Sequence, residues 1–220
     1  MDFQVERDAM VRDQMRARGI VDERVLSAMA SVPREEFVGA NEVSAAYRDG
    51  PQDIACGQTI SQPYMVAFTC EAARLRPTDR VLEVGAGSGY QAAVLGALAE
   101  EVHSVERHVE LARHAAEVLQ RLGMRNVFVH VGDGSRGLAD FAPFDAILVA
   151  AAAPAMPHSL AAQLATGGRL IIPVGPREQQ SLCRYTRTRS GDLVEERLLS
   201  CRYVPLVGAE GWPQPTAAKP

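Results

Sequence analysis

The sequence predicts an α/β fold with a mostly parallel, doubly wound sheet, and three observations support this prediction. Short segments rich in Val and Ile alternate with helical segments through residues 77–180, which is typical of parallel strands covered on both faces. A glycine-rich turn joins the first of these strands to the helix that follows it. Two further runs flank Ser190-Gly191-Asp192, so we expect the sheet to end in an antiparallel C-terminal hairpin.

The first part of the chain, residues 1–76, predicts an N-terminal helical annex that also carries a substrate loop. Asp22 is suited to cap a helix, because its side chain can accept a hydrogen bond from a free N–H of the first turn. That helix would place four apolar residues on one side: Val25, Leu26, Met29 and Val32. Pro33 suits the first position of a second helix, where its missing N–H is not needed.

Two more elements complete the annex. The polar, glycine- and proline-containing stretch Asp49–Asp53 indicates a turn. Pro63, preceded by Gln62, is expected to open another helix. The apolar residues of that helix recur at helical spacing: Met65, Phe68, Ala72 and Leu75.

The alternating part, residues 77–212, predicts the ligand-binding core. Its strands are expected at Val81–Val84, Val102–Val105, Val127–Val131, Ala146–Ala150 and Leu170–Val174. The clearest helix between them ends at Gly123, a residue type that favours helix C-termini. Residues 213–220 contain several prolines and small residues and are expected to form a loose tail.

Composition excludes several classes of protein. The chain has 220 residues, of which 47 % are apolar and 23 % are charged, so it is expected to fold rather than remain disordered. Its net charge of −4 gives no electrostatic drive toward nucleic acid or an anionic membrane. The longest apolar run is too short to span a bilayer, which takes about 20 residues. An acidic N-terminus and four cysteines without C-x-x-C spacing favour a reduced, cytoplasmic protein.

The glycine-rich turn lies in Val81–Tyr90, where Gly85, Gly87 and Gly89 follow a strand. Dinucleotide-binding turns have G-x-G-x-x-G spacing, but Tyr90 occupies the position of the third glycine here. The pattern therefore favours a ligand that lacks a pyrophosphate, such as S-adenosylmethionine. A glycine-rich turn without any ligand, or a nicotinamide-dependent oxidoreductase, remains an alternative at this point.

Acidic residues follow the next two strands. Glu106 is positioned to accept hydrogen bonds from both hydroxyls of a ribose. Asp133 could accept from an adenine amino group, and Gly134 would leave room for the ring. A solvated strand-end charge and an ordinary Asp-Gly turn are the simpler interpretations of each residue alone. Since all three features follow successive strands, they should meet at the carboxyl edge of the sheet.

Other chemistries find little support in the sequence. The five histidines show no i, i+4 pairing, and the cysteines and histidines have no zinc-ligand spacing, so no metal site is expected. The sequence contains neither a G-x-S-x-G nucleophile elbow nor a Walker motif.

The segment Gly57–Tyr64 has two interpretations. In the first, it is a helix entry in which Ser61 or Gln62 supplies the capping hydrogen bond. In the second, its sequence GQTISQPY is the specific motif of a protein family.

Six further segments support the second interpretation, since the chain resembles the protein-L-isoaspartate O-methyltransferases from about Val11 to Val207. The segments that carry this resemblance are Gly57–Met65, Val81–Tyr90, Ser104–Arg107, Gly132–Gly134, Ala142–Val149, Gly167–Pro176 and Tyr203–Leu206, the last resembling the family's closing strand.

The resemblance implies a Rossmann-like class I methyltransferase that uses S-adenosylmethionine. It would methylate the α-carboxylate of isoaspartyl residues in damaged proteins and peptides, and the ester would collapse to a succinimide. Ser61 would be catalytic by hydrogen bonding to the substrate carboxylate. The implied cofactor-binding residues are Glu83, Gly85, Gly87, Gly89, Glu106, Asp133 and Gly134. The implied substrate-binding residues are Thr59, Ile60, Val204, Pro205 and Leu206.

The chain departs from the family pattern in three places. Ala55 stands where a glycine is expected, so either the backbone there tolerates a Cβ or the loop has shifted. Asp53 adds a negative charge near the expected site of an anionic substrate. Ala150 replaces a threonine or glycine after the fourth strand. A methyltransferase of the same fold acting on a small-molecule carboxylate or hydroxyl is therefore the nearest alternative.

Overall fold

The central sheet consists of seven strands in a computed structural model that describes residues 3–214. The strands of the chain are β1 (Gln52–Ile54), β2 (Gln58–Ile60), β3 (Arg80–Val84), β4 (Glu101–Glu106), β5 (Val127–Val131), β6 (Phe144–Val149), β7 (Leu164–Val174), β8 (Gln180–Arg187) and β9 (Leu193–Cys201). The helices are α1 (Gln4–Ala9), α2 (Glu23–Ser31), α3 (Pro63–Ala73), α4 (Tyr90–Gly96), α5 (Val109–Arg121) and α6 (His158–Ala162).

The order of the strands in the sheet is β5-β4-β3-β6-β7-β8-β9. The first five are parallel, whereas β8 pairs antiparallel with both β7 and β9. The predicted fold class is therefore confirmed, and so is the predicted hairpin. Chain order reverses between β3 and β6, and ligands bind at the carboxyl edge of such sheets near this kind of switch point.

Both faces of the sheet are buried at its central strands β3 and β6, as the runs of Val and Ile predict, whereas the edge strands β5 and β9 are partly exposed. Val81 belongs to a hydrophobic cluster shared with the annex, whereas its neighbour Leu82 belongs to a second cluster on the opposite face. Leu148 and Ile147 of β6 divide between the two clusters in the same way. This alternation follows from the two-residue period of a strand. The annex thus packs directly on the sheet and shares its core.

Two predictions about the annex are confirmed. Asp22 is the N-cap of α2 and accepts a hydrogen bond from the N–H of Arg24 at 2.9 Å. Pro63 begins α3, with Gln62 at the N-cap position. A buried ion pair fixes the end of α3 to the sheet, because Arg169 bonds both Asp79, at 2.6 Å, and the carbonyl of Ala73.

One other prediction about the annex is wrong, and another is correct only at its start, where Asp49 and Gly50 form a bend. Pro33 starts no α-helix, and it precedes a single 3₁₀ turn at Arg34–Phe37. The turn predicted at Asp49–Asp53 includes the first two residues of β1, which pairs antiparallel with β2. These strands have three residues each, too few to show an alternating pattern in the sequence.

The C-terminal segment also differs from prediction. Tyr203–Leu206 forms only an isolated bridge, in which Ala152 donates to the Val204 carbonyl and accepts from the Leu206 N–H. The pairing stops there, because the Leu206 carbonyl accepts instead from the N–H of Trp212 at 2.7 Å. The chain then turns back at Trp212, which forms another isolated bridge with Val207. The loose tail predicted for residues 213–220 lies mostly outside the described residues.

Candidate active site

Two adjoining cavities open at the carboxyl edge of the sheet. The first has a volume of about 250 Å³ and is bounded by the glycine-rich turn, the end of β4 and the C-terminal segment. The second has a volume of about 560 Å³ and lies between the annex and the C-terminal segment. Five residues line both cavities and form the wall between them: Thr59, Ser61, Ala150, Val204 and Pro205.

The glycine-rich turn supplies the floor of the first cavity. Gly85 and Gly87 line it, with φ angles of 93° and 52° that favour glycine. Gly89 is not part of the lining, and a Cβ there would lie 3.1 Å from the Cβ of Ala115. Gly89 therefore permits close packing of the turn against α5, while the other two leave backbone open to a ligand.

Glu106 lies at the end of β4 and is only 5 % exposed. One carboxylate oxygen accepts from the N–H of Gly87 at 3.0 Å, and the other accepts from the N–H of His108 at 2.9 Å. A carboxylate has about four acceptor sites, so roughly two remain after these backbone bonds. The residue thus fixes the glycine turn and can still accept from two ligand hydroxyls, which fits a ribose.

Glu83 lies beneath the turn and does not line either cavity. Its side chain is fully buried, and it accepts a hydrogen bond from the hydroxyl of Ser104. Burial raises the pKa of Glu83 to about 8, so the carboxyl is mostly protonated at neutral pH. The structure places this residue in the core below the cavity, without direct access to a ligand.

Asp133 and Gly134 occupy different places. Gly134 lines the first cavity, and a Cβ there would lie 2.5 Å from Cγ1 of Val84. The Asp133 carboxylate does not line it, because it caps the following 3₁₀ turn and accepts from Ser135 and from the N–H of Ala209 at 2.8 Å. Burial alone would raise the pKa of Asp133, but these hydrogen bonds lower it overall.

Ser61 occupies the wall between the cavities, at the end of β2. Helix α3 has no side-chain capping bond, and its N-cap is Gln62, so the capping interpretation of both residues is wrong. The Ser61 carbonyl accepts a hydrogen bond from Arg34 at 2.8 Å. The Ser61 hydroxyl does not cap the helix and belongs to a residue that lines both cavities, so it is available to a ligand there.

The residues predicted to bind substrate do come together at this wall. Thr59, Val204 and Pro205 line both cavities, whereas Ile60 and Leu206 line only the first and are almost fully buried.

The three departures from the family pattern neither strain the backbone nor place a charge in the two cavities. Ala55 does not have a positive φ, because the left-handed backbone lies at Cys56 and Gly57. A Cβ at position 55 is thus tolerated. Asp53 is exposed and lines neither of the two cavities, so its charge does not face them. Ala150 lines both, and a Cβ added at Gly85 would lie 3.6 Å from the Cβ of Ala150.

Arg34 supports the site from behind, and sequence reasoning missed it. Its side chain is 0 % exposed and donates to the carbonyls of Ala46, at 2.7 Å, and Ser61. Its guanidinium also lies 4.7 Å from the ring centroid of Tyr90, which lines the first cavity. Burial lowers the pKa of Arg34, and the nearby Tyr90 partly opposes this effect. Its only signal in the sequence is an arginine after Pro33.

His108 and Gln91 also line the first cavity and were not predicted. The Nε2 atom of His108 is buried and has no hydrogen-bond partner among residues 3–214. It is therefore available to a ligand in the cavity. Within the same residues, no cluster of histidine, cysteine or acidic side chains could hold a metal ion.

Comparison with known proteins identifies the family. The model of the protein-L-isoaspartate(D-aspartate) O-methyltransferase family matches residues 5–211. The chain belongs to this family. It is 57 % identical to the protein-L-isoaspartate O-methyltransferase of Roseiflexus castenholzii, and the alignment covers 96 % of each chain. It is 56 % identical to the enzyme of the same name from Koribacter versatilis, over 96 % of this chain and 94 % of the relative.

Solved structures support the same assignment. A protein-L-isoaspartate O-methyltransferase superposes with a TM-score of 0.84 at 30 % identity, covering 93 % of this chain and 67 % of the other. A Plasmodium falciparum protein described as a member of this family, in complex with S-adenosyl-L-homocysteine, gives 0.79 at 27 % identity, covering 90 % and 96 %. The predicted family resemblance and the Rossmann-like methyltransferase fold are confirmed, and the oxidoreductase alternative finds no support.

Proposed function

We propose that this protein transfers a methyl group from S-adenosylmethionine to the α-carboxylate of L-isoaspartyl residues in damaged proteins and peptides. Methyl esterification starts repair, because the ester collapses to a succinimide that can reopen as normal aspartate. Beyond family membership, one structural observation carries the proposal. Ser61 lies on the wall shared by a cavity that suits the cofactor and a cavity that suits a peptide.

The residues of the first cavity fit S-adenosylmethionine, which supplies an activated methyl group when bound. Glu106 would hold the ribose through its two remaining acceptor sites, and Gly85 and Gly87 would bind the methionine part. Gly134 lines the same cavity, and a side chain there would collide with Val84 and Val105, so a larger residue would distort this part of the lining. Glu83, Gly89 and Asp133 act indirectly, by fixing the turn and the loops around the ligand.

Ser61 donates a hydrogen bond to the substrate carboxylate and orients it. A peptide α-carboxyl has a reference pKa of about 3.3–3.7, so this nucleophile is ionised at pH 7 and needs no general base. A neutral hydroxyl orients the carboxylate without neutralising it. Positioning and exclusion of water then supply most of the rate enhancement, an effect worth several kcal/mol.

The remaining wall residues bind the peptide around that carboxylate. Val204 and Leu206 bond to Ala152, so the Pro205 carbonyl between them points to the opposite edge of the extended segment. There it can accept a hydrogen bond from the substrate backbone. Thr59 and Ile60 bound the space from the annex side.

This assignment divides the chain by role. Residues 1–76 contribute the β1–β2 hairpin on the substrate side, and residues 77–212 contribute the cofactor cavity and the closing segment. Among the described residues no helix is long and apolar enough to cross a membrane. A cytoplasmic location and the absence of a nucleic-acid partner stay predictions from the sequence.

The decisive experiment compares two peptides that differ only in one linkage. Transfer of a labelled methyl group should occur to the isoaspartyl peptide and fall to background with the normal aspartyl peptide. Between about pH 6 and 8, kcat/KM should stay nearly constant, because the nucleophile is ionised throughout. Equal labelling of both peptides, or labelling of neither while a small carboxylate is methylated, would refute the proposal.

A further inference from the structure

The second cavity has a pronounced positive character. Arg177 and Arg202 line it, and no Asp or Glu does so among the described residues. The chain as a whole carries a net charge of −4, so the positive charge of this cavity is opposite in sign to the net charge of the protein. Neither arginine lines the first cavity, where the cofactor is expected.

The two guanidinium groups have no carboxylate partner within residues 3–214. Arg177 is exposed and lies over the ring of Trp212, 4.7 Å from its centroid. Arg202 is exposed as well. Because no carboxylate of the described residues neutralises either guanidinium group, both are available to an anionic ligand in the cavity.

A buried glutamine fixes the two arginines relative to each other. Gln180 is 2 % exposed, and its amide nitrogen donates to the backbone carbonyls of Pro176 and Arg177. Its amide oxygen accepts from the N–H of Tyr203 at 3.0 Å, next to Arg202. One side chain thus holds both arginine-bearing segments, which is the arrangement of a built site rather than of two independent surface charges.

We infer that Arg177 and Arg202 bind a second carboxylate of the peptide substrate, separate from the carboxylate that is methylated. This inference rests on the proposed function and adds a substrate preference to it. The reacting carboxylate must lie at the Ser61 wall, against the cofactor cavity, whereas the arginines lie only in the second cavity. The second carboxylate is either an acidic side chain near the isoaspartyl residue or the C-terminus of a short peptide, since both present the same group.

The test uses three isoaspartyl peptides of equal length with blocked N-termini. One has neutral neighbours and an amidated C-terminus, one adds a glutamate after the isoaspartyl residue, and one carries a free C-terminal carboxylate. The full-length protein should prefer one or both of the acidic peptides in kcat/KM by about fivefold to tenfold, as expected for two partly exposed charge pairs. The preference should shrink at about 0.5 M salt, where such pairs are screened.

The double variant Arg177→Gln, Arg202→Gln should reduce the ratio of acidic to neutral kcat/KM to about one. Arg189→Gln is the matched control. Arg189 is exposed in the β8–β9 turn, and its replacement removes one positive charge, as each of the two cavity changes does. That control should keep the wild-type ratio. Whichever peptide is preferred identifies the source of the carboxylate.

The outcomes separate this inference from the proposed function. If no isoaspartyl peptide is methylated, the proposed function itself fails. If all three are methylated equally well, or if the preference survives in the double variant or disappears in the Arg189→Gln control, only the carboxylate site is overturned.

Discussion

The two walls of the active site are built in different ways. The cofactor wall, residues 84–91 with Glu106, consists of the ends of adjacent strands and the turn between one of them and its helix. The hydrogen bond from the N–H of Gly87 to Glu106 connects the turn after β3 to the end of the neighbouring strand β4. The substrate wall, residues 57–61 with 202–206, consists of a small hairpin and a nearly irregular segment. Hydrogen bonds of two side chains hold this wall in place: Arg34 donates to the Ser61 carbonyl, and Gln180 accepts from the N–H of Tyr203.

This difference predicts that the walls can be damaged separately. The cofactor wall inherits the stability of a sheet whose two faces are buried, so one side chain seldom decides its shape. The substrate wall has only three-residue strands and an isolated bridge, and two buried polar side chains replace the missing ladder. Variants at those side chains should impair substrate use more than cofactor binding.

The largest effect is expected for Arg34→Met. It leaves the carbonyls of Ala46 and Ser61 without their donor, which costs about 1–3 kcal/mol of folding stability each. The wall also loses its anchor, so kcat/KM for an isoaspartyl peptide should fall at least about tenfold while the Kd for S-adenosylmethionine changes less. Thermal melting, calorimetric titration and steady-state kinetics on one preparation measure all three quantities.

Two further variants make this test specific. Arg34→Lys keeps the positive charge but lacks the guanidinium fork, so it should give intermediate losses. Arg113→Met removes an exposed arginine of α5 and should behave like the unaltered protein. If Arg34→Met weakened cofactor binding as much as peptide turnover, the two walls would not be independent.

Ser61→Ala should have the next largest effect. A lost hydrogen bond to the substrate carboxylate costs about 1.5–3 kcal/mol of transition-state binding, or roughly 10- to 150-fold in kcat/KM. Because Ser61 caps no helix, the melting temperature should hardly change. Ser27→Ala, at an exposed position of α2, is the control and should alter neither quantity. A lower melting temperature with unchanged turnover would assign Ser61 a structural role instead.

Glu106→Gln tests the other wall. The amide can still accept one backbone bond but loses the charge, so S-adenosylmethionine affinity should fall by about 1.5–3 kcal/mol. Selectivity between isoaspartyl and aspartyl peptides should persist at saturating cofactor. Glu117→Gln, an exposed change on α5, serves as the matched control. An unchanged Kd in a folded Glu106→Gln protein would remove this residue from the ligand site.

The same contrast explains what the sequence could predict. Strands β3 to β7 can be predicted because each contains a short run rich in Val, Ile or Leu, and Glu106 because it ends one of them. The errors at Pro33, at Asp49–Asp53 and at the closing segment concern short elements whose shape depends on distant partners. Arg34 and Ser61 are 27 residues apart in the sequence, so no local sequence pattern predicts the hydrogen bond between them.

The last prediction concerns Glu83, which lies under the cofactor wall. It tests whether the stability of that wall depends on a single buried side chain. Burial raises its pKa to about 8 from the ordinary value of 4.5, so the folded protein retains a proton that the unfolded chain has lost. The stability that this proton gives is complete below about pH 4.5 and is lost as pH rises toward 8, at about 1.4 kcal/mol per pH unit.

Glu83→Gln removes this dependence, because an amide stays neutral and can still accept from Ser104. The difference in unfolding free energy, variant minus unaltered protein, should therefore rise by about 2 kcal/mol between pH 6 and 7.5. Melting curves at several pH values, with Glu117→Gln as the control, measure this gain. A difference that does not change with pH would show that Glu83 is already ionised in the folded state. The cofactor wall would then contain a buried charge, and its stability would depend on single side chains as much as that of the substrate wall.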